Sequence, residues 1–551
     1  MNFKDKHISL ISVLCVIMSV VMLFGCCQNN QAVTQHSPSL SQEPTSALTK
    51  TPTITQDPST PSPSPTPIIF SKNITSFVVR KADNKSIDED LTWSILDDNI
   101  MLSVSYLFDL SSLVNCIATI NFSDGTFVRE KLNLSLDNQP YLVIDDNGVE
   151  KKYEIITNRI TYNLPVFYIE IENNAEVTSR ENYLNATVKI DSSGCKYATF
   201  KNLQETPILI RGRGHYSWTH PKTPYKIRFE DKTSVLGMSA SKNWVLIANY
   251  VDRSLLQNYV AMEMGKVMDY IPYHTNQYPV DVFVNGTYRG VYTFGEQLEV
   301  KKERINLEQG NQEEDTDYLL DFAGTDNGNV LGKDYFNSIV LKNITIRHPD
   351  KADITTQQID YILSYLRKAD TAVKNLSNYE DYIDINSLID WVILHELTYN
   401  LDCCFRRSCY LIKEKGGKLK MGPIWDFDLG FGSFYRYKRD TWATVGSDGA
   451  YVPVTWMNYL MKDEAFMKKF TDRWNAIKDV LLNTALECID KMSVLVAPSA
   501  EYNFKVWDIL GKELKSQPTA HKKYDTYEKM IGRLKTFLIN RYKWIDEQLK
   551  K

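Results

Sequence analysis

Hydrophobic positions along the chain change rhythm four times. An apolar run over 8–24 follows Lys4 and Lys6; it is short for a spanning helix and right for a secretory leader. Apolar positions then almost vanish over 28–67, where Ser, Thr, Pro and Gln dominate, as in PTITQDPSTPSPSPTP. Such a segment cannot bury a core and reads as an extended linker with polyproline II character. At about 3.1 Å per residue, roughly forty residues reach on the order of 100 Å. Over 68–164 the runs ITSFVVR, IMLSVSYLF, CIATINF, GTFVREKLNLSL and KKYEIITNRITYNL are β-branched and separated by Asp-Asn, Asp-Gly and Asp-Asn-Gly turns. That spacing predicts several short strands packed as a small sandwich of immunoglobulin-like type.

From residue 165 the pattern mixes strands and helices. VFYIEIE, NATVKID and PILIRGRGHYSW read as strands leading into the turn Arg211-Gly212-Arg213-Gly214. Glycines let backbone N–H groups approach an anion and the arginines add positive charge, although Gly-rich turns between strands are also common without a ligand. Lys226 follows in the strand-like PYKIRF, where a lone lysine ordinarily faces solvent. The stretch RSLLQNYVAMEMGKVM has helical periodicity, with Asp252 as its N-cap. Leu256, Tyr259, Val260, Glu263 and Val267 form its stripe, so Glu263 falls on an apolar face and needs a cation there. Lys226 is one candidate; a place at the stripe's edge, reaching solvent, is the alternative.

VDVFVN-GT-YRGVYTF is an Asn-Gly hairpin running into Gly295-Glu296-Gln297. EQGNQEEDTDY is acidic and reads as a solvated loop, and QQIDYILSYLRKADTAV and SLIDWVILHELTYN read as helices, the second apolar enough to be buried. Asp402 sits at the exit of that second helix. It is either a terminal residue without a role or a carboxylate that a hairpin, turning at Gly416-Gly417, returns to the pocket of Asp426 and Asp428. From 455 onward the pattern is helical and carries no evident chemistry.

The stretch GPIWDFDLGFG, residues 422–432, holds Asp426 and Asp428 between large apolar neighbours. In an extended segment residues i and i+2 share a face, so both carboxylates would leave on one side while Trp425, Phe427 and Leu429 anchor the other. Two carboxylates at that spacing suit Mg²⁺ held together with phosphate oxygens and water. The plain alternative is an Asp pair in a surface turn.

Composition narrows this picture. The chain has 551 residues, 43% hydrophobic and 24% charged, enough for more than one domain. A net charge of −5 gives no footprint for a nucleic-acid partner. Cys15, Cys26 and Cys27 lie in the leader, and the other six cysteines are scattered without metal spacing. Clustered Cys403, Cys404 and Cys409 read best as small buried apolar residues. Leu23-Phe24-Gly25-Cys26 resembles a bacterial lipobox, which implies a diacylated Cys26 and a membrane anchor. Plain secretion and an uncleaved anchor compete with that reading, and all three place the chain outside the cytoplasm.

Taken in order, RGRGHYSW, PYKI, LGMSASKNWVLIANYVDRSLLQNY, VFVNGTYRGVY followed by EQ, NLD and GPIWDFDLGFG resemble the CotH kinase family of bacterial spore-coat proteins. The resemblance implies an α+β chain: a two-lobed atypical protein-kinase-like domain over 165–551, preceded by the immunoglobulin-like sandwich of 68–164, the linker 28–67 and the leader 1–27. It implies ATP and Mg²⁺ as cofactors and a secreted or coat protein as the phosphorylated partner, at a cell surface or spore. By the same resemblance Lys226 contacts the nucleotide phosphates beside Arg211, Gly212, Arg213 and Gly214, and Glu263 holds Lys226, with Glu296 as the substitute for Glu263. Glu296 and Gln297 form the hinge near adenine, Asp402 takes the catalytic role toward the acceptor hydroxyl, and Asp426 with Asp428 binds the metal. Asp-Phe-Asp stands where kinases ordinarily have Asp-Phe-Gly, no His-Arg-Asp precedes Asp402, and the Gly-rich turn lacks a third glycine. A competing function is a non-catalytic surface or coat assembly protein that keeps a kinase-like fold. A glycoside hydrolase is a third, but its carboxylates must flank a scissile bond rather than adjoin on one face. The sequence leaves the oligomeric state open.

Overall fold

The computed structural model describes residues 72–551 apart from 88–89, 97–98, 105–109, 135–140, 147–148, 160–161, 309–311 and 323–329. The expected leader with Cys26, and the linker 28–67, lie outside the described residues. What is described is an α+β fold.

The first part is all β. Strands β1 (Ile74–Val79), β2 (Leu91–Leu96), β3 (Asn99–Val104), β4 (Cys116–Phe122), β5 (Phe127–Leu132), β6 (Tyr141–Asp146) and β7 (Val149–Arg159) run in the order β5-β4-β1-β2-β3-β7-β6. Alternation along the β-branched runs turns Phe77, Val79, Ala118 and Ile120 inward, where Phe77 meets Trp93 edge-on at 5.1 Å. β2 passes from one half to the other, because residues 91–93 pair with β1 and residues 94–96 with β3.

Seven further strands close into a barrel. They are β8 (Val166–Ile171), β9 (Leu184–Asp191), β10 (Leu203–Gly212), β11 (Tyr225–Thr233), β12 (Ser241–Ile247), β13 (Gln277–Val284) and β14 (Thr287–Glu296), ordered β10-β11-β12-β14-β13-β8-β9. Ile208 and Ile210, Ile227 and Phe229, and Trp244 and Leu246 are buried in its core. The period of two therefore sends Arg211, Lys226 and Val245 to the outer face, where they lie opposite one another across three strands. The β13–β14 hairpin turns on Asn285 and Gly286 at φ 51° and 70°, the left-handed pair that an Asn-Gly turn requires.

The remainder is helical around a small sheet. β15 (Tyr318–Asp321), β16 (Thr345–His348), β17 (Tyr410–Lys413) and β18 (Leu419–Met421) pair antiparallel in the order β16-β15-β17-β18. The helices are α1 (Gln257–Lys266), α2 (Thr356–Lys374), α3 (Ile385–Thr398), α4 (Met457–Leu460), α5 (Glu464–Val506) and α6 (Tyr527–Gln548). Helix α3 is buried on every side, as its apolar sequence predicts. Fully burying each of Leu388, Val392, Ile393 and Leu397 contributes about 2 kcal/mol.

Helix α1 begins four residues later than its periodicity suggests, because Leu255 takes a left-handed φ of 60°. Leu256, not Asp252, stands at the N-cap; Asp252 reaches the helix start from the turn before it, one carboxylate oxygen accepting from Gln257 N at 2.8 Å and the other from Ser254 N at 2.9 Å. The C-terminal half of α5 lies against the barrel. Asn503 Oδ1 accepts from Lys222 Nζ at 2.8 Å and from Val291 N at 3.1 Å, and Ser499 donates to Asp281 at 2.7 Å. The helical tail is thus bound to the barrel as well as to the other helices.

Candidate active site

The Asp pair is held by its backbone. Asn400 donates to Asp426 O at 2.9 Å, Phe427 N donates to Asn258 Oδ1 of α1 at 2.8 Å, and Ser408 Oγ donates to Asp426 Oδ2 at 2.9 Å. Trp425, Phe427 and Leu429 are buried as expected, with Phe427 against the ring of His395 at 5.3 Å. His395 itself is neutral, since burial pushes its imidazole down to about 3.

The extended geometry is not what brings the carboxyls together. Asp426 is left-handed at φ 69°, and Asp428 begins a turn rather than continuing a strand. The two carboxyls nevertheless act on each other at close range. Burial pushes both above the usual carboxylate range, Asp428 the further, and the charge of Asp402 adds to the rise in each. Two carboxyls at close range cannot both ionise cheaply, and the rise is the larger at Asp428.

Asp402 follows the left-handed end of α3 at Tyr399, φ 46°, on a single 3-10 turn, Leu401–Cys403. Its carboxylate accepts from Arg406 Nη1 at 3.0 Å and from the Tyr451 hydroxyl. The hairpin β17–β18 does bring it into the electrostatic neighbourhood of Asp426 and Asp428. Among the described residues, however, no three His, Cys, Asp or Glu side chains converge closely enough to enclose a cation unaided.

Across from the pair stands Arg213. Its guanidinium lies over the Trp425 ring at 5.9 Å and feels the charges of Asp426 and Asp428. The glycines beside it sit hard against side chains of their own loop. A Cβ on Gly212 would collide with the Trp218 ring, and one on Gly214, already at φ 83°, with Ser217 Oγ. Their small size makes room for the loop's own side chains. Arg211 lies under the Tyr183 ring at 4.9 Å.

Lys226 occupies the outer barrel face opposite Arg211 and Val245, half-buried. The expected Lys226–Glu263 pair does not form. Glu263 bonds Lys266 at 2.6 Å, one turn along its own helix, and is a quarter exposed. It sits at the stripe's edge, where a neighbour three residues on is always in reach. Glu296 does not substitute for it. That carboxylate is buried and accepts from Asn276 N at 2.8 Å, Asn276 Nδ2 at 3.1 Å and Tyr273 OH at 3.1 Å. It therefore closes the loop before β13 onto the end of β14.

Gln297, by contrast, lines a cavity of about 560 Å³ with Leu298, Leu319, Asp321, Arg347 and Tyr410. Burial pushes the Tyr410 phenol well up, and Asp321, Arg347 and Asp426 all act on it. Tyr410 thereby connects this cavity to the Asp pair. A second cavity, of about 530 Å³, adjoins Asp402. Sequence reasoning missed Asn258, Asn400, Ser408, Tyr410 and the Arg406–Tyr451 clamp on Asp402. Only Asn258 left a signal: with Gln257 it is a buried polar residue in an otherwise apolar stretch of helix.

Carboxylates from the exit of α3 and from the loop after β18, an arginine from the β10–β11 turn, and a helix that pins the loop between them make one site. A comparison with curated proteins found no match. A family model described as CotH kinase protein matches residues 210–545. That span starts in β10, just before the arginine-bearing turn, and ends in α6, so it takes in every element of this site and well over half of the sequence: the chain belongs to the CotH kinase family.

Proposed function

We propose that the protein is an extracytoplasmic phosphotransferase that moves the γ-phosphoryl group of ATP to hydroxyl side chains of surface or spore-coat proteins. One observation carries this reading: the charge of Asp402, at the edge of a cavity, acts on the buried pair Asp426 and Asp428, which Arg213 faces. In this reading the barrel serves as the small lobe of a kinase-like pair and the helices as the large one. The all-β part is an immunoglobulin-like spacer, and Cys26 with the linker is a lipid-anchored tether.

Asp426 and Asp428 fit Mg²⁺, because a carboxyl pair that cannot ionise fully alone is relieved by a divalent cation, and Mg²⁺ takes few protein ligands. The metal, when bound, offsets charge on the transferring phosphoryl group. Asp426 supplies the negative charge at that position, and Ser408 and Asn400 fix its direction. Arg213 and Lys226 bind phosphate oxygens from the barrel side. Gln297 and Tyr410 line the space for the nucleoside. Asp402, held by Arg406 and Tyr451, orients the acceptor hydroxyl and takes its proton.

The non-catalytic reading also has an observation in its favour: among the described residues Lys226 forms no pair with Glu263, which bonds Lys266 instead. Both readings are separated by incubating the purified protein with labelled ATP, Mg²⁺ and a hydroxyl-bearing protein acceptor, for wild type and Asp426→Asn. Asparagine tolerates the left-handed backbone, so the fold stays intact. Transfer by wild type and none by the variant is expected; equal labelling by both sinks the assignment.

A further inference from the structure

The cavity beside Asp402 is cationic in a chain whose net charge is −5. Arg406, Arg407 and Lys515 line it, and Asp402 is the sole carboxylate among its described lining residues. That carboxylate is already met by Arg406 at 3.0 Å. Arg407 and Lys515 make no ion pair among the described residues. Arg436 adds a further charge at the rim, stacked on Tyr435 at 4.8 Å and on Tyr451 at 4.9 Å. Tyr216 and Tyr435, 40% and 49% exposed, offer ring faces at the mouth, the kind of rigid surface against which a peptide backbone packs. In the proposed function the nucleotide's own anions fall to Arg213 and Lys226, which are not among the residues lining this cavity.

We infer that this cavity seats the acceptor segment and selects protein substrates that carry Asp or Glu beside the accepting hydroxyl. The inference rests on the phosphotransfer reading of the site. A guanidinium grips a carboxylate through two parallel hydrogen bonds, and Asp402 lies in the same wall. An acidic segment is thus drawn in with its hydroxyl delivered to Asp402.

The test uses the purified full chain, labelled ATP and three serine peptides that differ only in Glu, Gln or Lys flanking the serine. Partly exposed pairs from two unpaired cations predict a KM for the Glu peptide about ten-fold below that for the Gln peptide, at similar kcat. Raising the salt should shrink the gap. Arg407→Glu with Lys515→Glu should reverse the order in favour of the Lys peptide. Lys515→Glu alone, at an exposed position, should move it the same way by about three-fold. Transfer that ignores flanking charge in the wild type, or an order that both variants leave as it was, overturns the inference alone. No transfer to any peptide overturns the phosphotransfer reading with it.

Discussion

Asp426 adopts a left-handed backbone, φ 69°, which costs a non-glycine residue about 1–2 kcal/mol. The bonds from Asn400 and Ser408, and that from Phe427 N to Asn258, offset it. Asp426→Gly should therefore hold or raise the unfolding midpoint while transfer is lost, which would separate strain from chemistry; a large drop in midpoint would contradict this. Asn258→Ala leaves Phe427 N buried without its acceptor, an expected loss of about 1–3 kcal/mol in denaturant unfolding. Gly212→Ala drives a methyl into the Trp218 ring and should cost about 1–3 kcal/mol. Adding Trp218→Ala should recover part of that loss, and strictly additive losses would refute the contact.

At the scale of elements, α5 against the barrel sets a pH dependence. Asp281 in β13 is buried; burial pushes its carboxyl up to about 7, against the hydrogen bonds of Tyr288 and Ser499 and the charge of Lys222. Unfolded, the same group titrates near the ordinary 3.8. The folded state therefore binds the proton more tightly over that interval. The stabilisation is full below about pH 4 and is lost as pH rises through about 7. Compared with Asp281→Asn, wild type should lose stability between about pH 4 and 7 and change no further above it. Denaturant midpoints of both proteins at pH 4.5, 6 and 8 check this, and a constant difference would exclude Asp281 as the source. Helices α2 and α3 and the Asn285-Gly286 turn were legible in the sequence because period and turn chemistry are local. The later start of α1 was not, since a left-handed backbone at Leu255 leaves no mark in the periodicity.

At the scale of the whole molecule, the all-β part has its own core, from Ile74 to Ile155, separate from those of the barrel and the helices. Tyr162 packs instead with Val166 and Phe283 of the barrel, and Leu164 belongs to the helical core. A chain beginning at residue 162 should fold cooperatively and keep peptide transfer within about two-fold of the full protein. Loss of the folded state on that truncation would show that the all-β part is needed for folding.

What residue order alone determined is what neighbours in sequence can dictate. The α+β content follows from the change of period, the buried frame of Trp425, Phe427 and Leu429 from their apolarity, and the family from the succession of motifs. The tertiary structure decided which charges meet. Asp402 and Arg213 reach Asp426 because strands and a hairpin carry them there, whereas Glu263 finds Lys266 within its own helix before any strand lysine can reach it. Coulombic contact acts over a few ångströms, and across the nearly two hundred residues between Arg213 and Asp402 only the folded path of the backbone sets such distances.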